Sequence, residues 1–480
     1  MATYRSPGVY VEEISQLSAS IAEVESAVPA FIGYTQIAKQ LVDDDLLHVA
    51  TPINSWSDYQ QLYGNADQEH AVNITIAVNE IRPAAVTTGY KVTITPNYAA
   101  MSPYLLYYAV QQYFANGGGR CYIVSVGKYG APIADSDLKG GLDLIGLEDE
   151  PTLLVVPEAI RLTPGGYDNV VNAMMLQASS LKDRFAILDT LQTTTPKTTT
   201  SIATDVQTVM DATPSDGDIL KYGAAYYPFL ESTYQLGFDF PNLTLTHHTI
   251  GGNPAGGEDK TGRKMNELQS IASAMYNAIV KEYGNYHVVL PPSAAVAGAY
   301  ARVDETRGVW KAPANVGLMN VVKPLVSIAR PEQDLLNINT TSGKSIDCIL
   351  SIPGSGTVIM GARTLDGNDD DWKYVNVRRF CSVVEESIQK STRWVIFEPN
   401  TAATWVKVQS MIENYLFLKW RDGALAGAKP EQAYVVNIGL GKTMTSNDIL
   451  EGRMIVEIGL AVARPAEFII LRFEQQTQTS

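Results

Sequence analysis

Cysteine is scarce in this sequence: Cys121, Cys348 and Cys381 are the only three in 480 residues. An odd number, so widely spaced, supplies no disulfide framework, and buried, reduced thiols are the expectation. Histidine is nearly as rare, with five copies. Only His247 and His248 adjoin, and neighbours on a strand point to opposite faces, so no metal site is expected. Nowhere do about twenty consecutive apolar residues occur to span a bilayer, and no basic segment followed by an apolar run marks a leader. The chain is expected to fold in the cytoplasm where it is made, with no direct membrane insertion. Positive charge is also short, with 36 Lys and Arg against 51 Asp and Glu and a formal net charge of -15. That deficit excludes nucleic acid as the main partner, because phosphate binding needs concentrated cations.

Complete catalytic motifs are lacking too. Gly439-Leu440-Gly441-Lys442-Thr443 suggests a phosphate loop, but Val436 stands where the first glycine is needed. Gly117-Gly118-Gly119-Arg120 falls between a helical pattern and a strand. That order is opposite to the one that aims amides at phosphate, so helix termination is the better reading. Ser355 lacks nucleophile-elbow spacing and a paired base. The run Asp366-Gly367-Asn368-Asp369-Asp370-Asp371 lacks the distal Glu of a calcium loop and reads as a solvated turn. No catalytic residue, cofactor or metal ion is expected, which leaves a hydrolase as the weaker alternative.

What is present is ample material for several cores: 45% of residues are hydrophobic and 18% charged. Short, continuously apolar runs recur at 31–34, 121–124, 153–156, 185–188 and 288–290, with helical patterns between several of them, as at 104–114 and 266–282. This succession predicts an α/β fold with a largely parallel sheet. Residues of about 39–103 read as a β-containing insertion. From about Gly354 the pattern changes. Val377, Phe380, Cys381, Val384 and Ile388 have helical spacing, Arg393-Trp394-Val395-Ile396-Phe397 reads as a strand, and Asn400 caps a helix running to Asp422. Strands over 434–438 and 453–462 complete a C-terminal α+β domain.

Both ends read as arms. Val9-Tyr10-Val11 is β-prone and has no hairpin partner. Phe468-Ile469-Ile470-Leu471-Arg472-Phe473 is apolar on both faces, with Ile469, Leu471 and Phe473 on one and Phe468 and Ile470 on the other. Such an edge must be covered, either inside its own domain or by strand exchange with neighbouring copies. Between Asn376 and Lys429 eight basic residues face five acidic ones, net +3 on an acidic chain. This is either a mixed helical surface or a face that docks on an acidic partner.

Several stretches carry a resemblance: Ser6-Pro7-Gly8-Val9-Tyr10-Val11-Glu12-Glu13, Asn116-Gly117-Gly118-Gly119-Arg120-Cys121-Tyr122 and Pro291-Pro292-Ser293 followed by Gly298. Thr306-Arg307-Gly308-Val309-Trp310-Lys311-Ala312-Pro313-Ala314-Asn315 and Trp372-Lys373-Tyr374-Val375-Asn376-Val377-Arg378-Arg379 continue it, with Glu385-Glu386-Ser387-Ile388 beyond. In this order, over nearly the whole chain, the sequence resembles the tail sheath proteins of contractile phages, R-type pyocins and extracellular contractile injection systems.

The resemblance implies a structural subunit that polymerises helically around an inner tube and contracts to drive that tube through a target envelope. It implies a subtilisin-like α/β middle domain, in which Asp189 ends a strand without catalytic His and Ser contexts. The implied layout is an N-terminal exchange arm over 1–25, a sheath domain over 26–353 with the 39–103 insertion, an inner domain over 354–464 and a C-terminal exchange arm over 465–480. Val9, Tyr10, Val11, Phe468, Ile469, Ile470, Leu471 and Phe473 would be exchanged between copies, with hinges near 15–26 and 464–466. Lys407, Lys419 and Arg421 are the candidates for the tube-facing surface. The partners implied are further copies of the chain, the tube protein, and baseplate and terminal cap proteins, within a particle that works outside the cell or on a phage. A baseplate or other structural component of the same particle is the alternative.

Overall fold

The computed structural model describes residues 20–83, 86–98, 100–191, 199–252 and 257–467, with backbone only for 199–201. Two compact units divide the described chain: a large one formed by 25–382 and 464–467, and a small one formed by 20–24 and 383–463. The boundary falls inside the helix Val375–Ser391, so the large unit runs on past the change of pattern at 354.

The large unit is built on a nine-stranded sheet among the described residues. Its order is Val316–Gly317, Gly356–Ile359, Asp347–Ile352, Gly223–Tyr227, Phe185–Asp189, Leu153–Val155, Pro29–Thr35, Cys121–Lys128, Ala50–Ile53. The six strands from Asp347–Ile352 to Cys121–Lys128 pair in parallel, as their apolar runs predict. A strand covered on both faces needs no polar alternation, and Pro29–Thr35 is buried at every position. Phe31 lies opposite Ile123 on one side and Val155 on the other. Antiparallel pairs lie at both edges: Ala50–Ile53 beside Cys121–Lys128, and Gly356–Ile359 between Asp347–Ile352 and the edge strand Val316–Gly317.

One face of the sheet is covered by the helices Asp135–Ile145, Pro164–Leu181 and Thr199–Ala212. The other is covered by Leu106–Ala115 and Ser293–Arg307. Ser293–Arg307 is buried on every side through most of its length, which marks a core helix. Gly298 is needed there, since a Cβ would stand 2.5 Å from the Tyr113 carbonyl oxygen of the crossing helix.

Some sequence expectations are corrected. The helix at 266–282 is two, Met265–Ile271 and Ser273–Tyr283, broken where Ala272 adopts φ -148°. The insertion at 39–103 is not self-contained: Ala50–Ile53 joins the main sheet, and Ile74–Ile81 pairs with Gly89–Pro96 and also with His247–Ile250 from far along the chain. Arg393–Phe397 is no strand. A 3-10 turn spans Arg393–Val395, because Val395 and Ile396 donate to the carbonyls of Thr392 and Arg393 instead of to a neighbouring strand.

Buried carboxyls tie the sheet to its helices. Glu158 accepts the amides of Tyr34, Leu105 and Leu106 at 2.9, 2.9 and 3.1 Å, joining a strand end to the start of a helix. Asp189 accepts the Ser293 amide at 2.8 Å and its hydroxyl, fixing the head of the core helix. Asp347 accepts the Arg363 amide at 2.9 Å. Burial raises all three, to about 7 for Glu158 and Asp189 and about 8 for Asp347, against the lowering effect of these hydrogen bonds. The folded chain therefore binds extra protons above the unfolded carboxylate range of about 4. The stability so gained is complete below that range and lost as pH rises through the folded values. The melting temperature of the wild type should fall between about pH 5 and about pH 9, and Asp347→Asn, which never ionises, should flatten that fall. Parallel curves for the two proteins would refute this.

Candidate assembly site

None of the sequence's suggestive loops has a free chemical function in the fold. The Gly439 carbonyl accepts the amides of Lys442, Thr443 and Met444, so the loop's donors are spent on its own turn. Gly117, at φ 99°, ends the helix Leu106–Ala115 as expected, and Gly118 donates back to Tyr113. Ser355 sits in the tight turn of the hairpin at 347–359. Asp369 accepts the amides of Asp371 and Trp372. His247 is exposed while the His248 ring is buried against Glu80, 3.2 Å away. All three cysteines are buried and unbridged, and no group of metal-ligating side chains occurs among the described residues. No helix among them is long and apolar enough to cross a membrane.

The small unit presents a different kind of site. Its helix Ala402–Arg421 buries a stripe of Val408, Met411, Ile412, Tyr415, Leu416 and Lys419, the spacing of one helical face. Beside it lies a two-stranded ribbon, Tyr434–Ile438 antiparallel to Val456–Leu460. Among the described residues no third strand joins it. The Ala461 amide donates to the Ala433 carbonyl. Alternation from that bond turns the backbone groups of Glu457 and Gly459 toward the partner strand and those of Val456, Ile458 and Leu460 toward the open edge. The side chains of these same three residues line a groove of about 900 Å³, together with Ile388, Val408 and Ile412. An unpaired strand edge thus borders an open apolar trough, the arrangement that accepts an added strand.

The structure separates the three basic candidates. Lys407 and Arg421 are exposed. Fourteen residues apart, they share the outer face of the helix about 21 Å from one another. The Lys407 ammonium stands 4.2 Å from the centre of the Trp394 ring. Lys419 lies instead on the buried stripe, where it pairs with Glu23. It therefore holds the N-terminal segment, a role that residue spacing alone did not reveal. Val9, Tyr10, Val11, Phe468, Ile469, Ile470, Leu471 and Phe473 lie outside the described residues.

Comparison with known proteins decides the family. The chain is 30% identical to the sheath subunit of an extracellular contractile injection system, PVC, in its contracted state, with 99% of each chain covered and a TM-score of 0.62. The chain belongs to the tail sheath family of contractile injection systems. The contracted helical sheath of the anti-feeding prophage is equally similar, at 30% identity and TM-score 0.62 over 99% of this chain and 100% of that one. Residues 367–476 match the family described as phage tail sheath C-terminal domain. The tail sheath protein of Enterobacteria phage T4 is 26% identical over 141 residues, 28% of this chain and 21% of the phage protein. The chain spans about a fifth of that curated relative's length. This family is structural and not enzymatic, and the protein is a contractile sheath subunit of phage tail-like particles.

In this sheath subunit both terminal segments are rooted by charge. Arg379 joins Asp304 at 2.5 Å and donates to the Ser26 carbonyl at 2.9 Å, while the Ser26 hydroxyl donates to Asp304 at 2.7 Å. In the small unit, Ala22 and Val24 donate to the hydroxyls of Ser391 and Ser387. At the other end Arg363 grips both oxygens of Glu467, at 2.7 and 2.5 Å, and Arg464 reaches Asp371 at 3.0 Å. Within the expected hinges at 15–26 and 464–466, Ala22 and Val24 are held by serine hydroxyls, Ser26 by Arg379 and Asp304, and Arg464 by Asp371, with Glu467 held by Arg363 just beyond. Lys419→Ala should loosen the N-terminal root, read as at least about tenfold faster hydrogen exchange at the amides of Ala22 and Val24. Unchanged protection would remove Lys419 from that role.

Proposed function

We propose that copies of this chain polymerise helically around an inner tube, linked by exchange of their terminal strands, and contract to drive the tube through a target envelope. The observation that carries this reading is the open edge of Val456–Leu460 above its apolar groove. Phe468–Phe473 of one neighbour and Val9–Val11 of another are the strands that complete the sheet. Each added backbone hydrogen bond contributes about 0.5–1.5 kcal/mol net, and burial of apolar surface adds about 25 cal/mol per Å². The mainly parallel sheet around a buried helix supports the subtilisin-like description of the larger unit.

Contraction needs no nucleotide, because a metastable lattice stores the free energy at assembly. Lys407 and Arg421 form the face toward an acidic tube, and many weak contacts suffice when many copies act together. Baseplate and cap proteins bound the ends, and the particle is assembled in the cytoplasm before it acts outside.

Removal of residues 468–480 should leave a folded, soluble protein by circular dichroism and sedimentation that no longer forms cylinders in negative-stain micrographs. Continuous sheath from the truncated chain would refute strand exchange. Separately, Lys407→Glu with Arg421→Glu should preserve empty cylinders but strip them from tubes when the two proteins are co-expressed. Tubes still fully coated would place the tube-facing surface elsewhere.

A further inference from the structure

Phe397 is wholly exposed, at 102% of its reference area, and its φ is 72°. Aromatic residues rarely adopt the left-handed region, and such strain persists only where the surroundings over-determine it. Those surroundings are well defined. Glu398 donates to the Val395 carbonyl at 2.9 Å, closing the turn around Phe397. The Asn400 side-chain amide donates to the Arg453 carbonyl at 3.0 Å and its oxygen accepts from the Trp405 indole at 2.6 Å. Neighbouring Ile396 is 65% exposed. The local sequence Arg393-Trp394-Val395-Ile396-Phe397 favours a strand, so conformation and local preference disagree here, as they do where function sets the backbone.

This strained turn forms part of the wall of the apolar groove beside Val456–Leu460. The groove can receive one face of an added strand. Phe468–Phe473 has apolar side chains on both faces, and its second face needs another cover. Ile396 and Phe397 are the apolar groups standing free at the rim. Phe468 follows Glu467 directly, so a strand over 468–473 starts from the residue that Arg363 holds.

We propose that Phe397 is the retaining cover of the groove: when the Phe468–Phe473 segment of a second copy pairs with Val456–Leu460, the Phe397 ring packs over its outward apolar residues and slows its release. The inference rests on the strand-acceptor reading above and adds the residue that sets how long an exchanged strand stays. Because Phe397 is fully exposed, its removal takes no packing from the subunit itself.

The test uses the full-length chain and a fluorescein-labelled peptide of residues 466–480, followed by anisotropy and chased with unlabelled peptide. Phe397→Ala should bind at the wild-type association rate and release at least about tenfold faster, with Phe397→Leu between the two. Phe397→Gly removes the backbone strain together with the ring, and should release as fast as Phe397→Ala. Equal release from wild type and Phe397→Ala would overturn the role of Phe397 while leaving the groove as acceptor. Failure of the wild type to bind the peptide, with the far-ultraviolet spectrum unchanged, would overturn the acceptor reading and this inference together.

Discussion

A two-stranded ribbon is marginal by itself in water, and the small unit of this protein is organised around one. Val456–Leu460 has a partner on one edge only, and its inward side chains face a groove of about 900 Å³ where the rest of a core would sit. Hydrogen-bonding groups without partners and apolar side chains without cover both favour an added strand. Apolar segments occur near both ends of the same sequence; the N-terminal one is followed in the chain by contacts of 22–24 within the small unit, and Glu467 is held by Arg363 in the large one. Under the proposal, a second copy supplies the strand that completes this ribbon.

In the proposed assembly the link between copies is backbone pairing plus apolar burial, and charge has a narrower task. Lys419 and Arg363 hold the carboxylates of Glu23 and Glu467 in the terminal segments, and Arg379 pairs with Asp304 while donating to the Ser26 carbonyl. Breaking a buried pair leaves an uncompensated charge, so such pairs define position well even when their net contribution to stability is small. Lys407 and Arg421 are exposed on the same helix, the first over the Trp394 ring and the second beside Asp422.

The large unit contributes rigidity. Its parallel strands are buried on both faces, and Glu158 and Asp189 each spend their oxygens on donors from a second element. Carboxyls held this way are costly to ionise, which couples the stability of the scaffold to pH without giving it a catalytic group. Asp189 and Ser293 meet as a helix-head contact and not as part of a catalytic set.

The parallel core was legible in the sequence because strands covered on both faces must be continuously apolar, as at 31–34, 153–156 and 185–188. The helix ending at Asp422 followed from the same logic of burial, whereas the buried helix Ser293–Arg307 emerged only in the fold. The short apolar run at 393–397 was not legible, since a β-prone pentapeptide forms a strand only where an edge is offered, and here the local turn captures its amides. Lys419 falls at helical spacing on the stripe of Val408, Ile412 and Tyr415, so its burial was legible; its partner Glu23, far away in the chain, was not. Residue pattern alone carried the parallel core, the incompleteness of the suggestive catalytic motifs and the apolar character of both terminal segments. Only the tertiary structure decided where the acceptor edge lies, which residues pin the arms and that Phe397 stands uncovered beside the groove, because each depends on groups distant in the chain meeting in space.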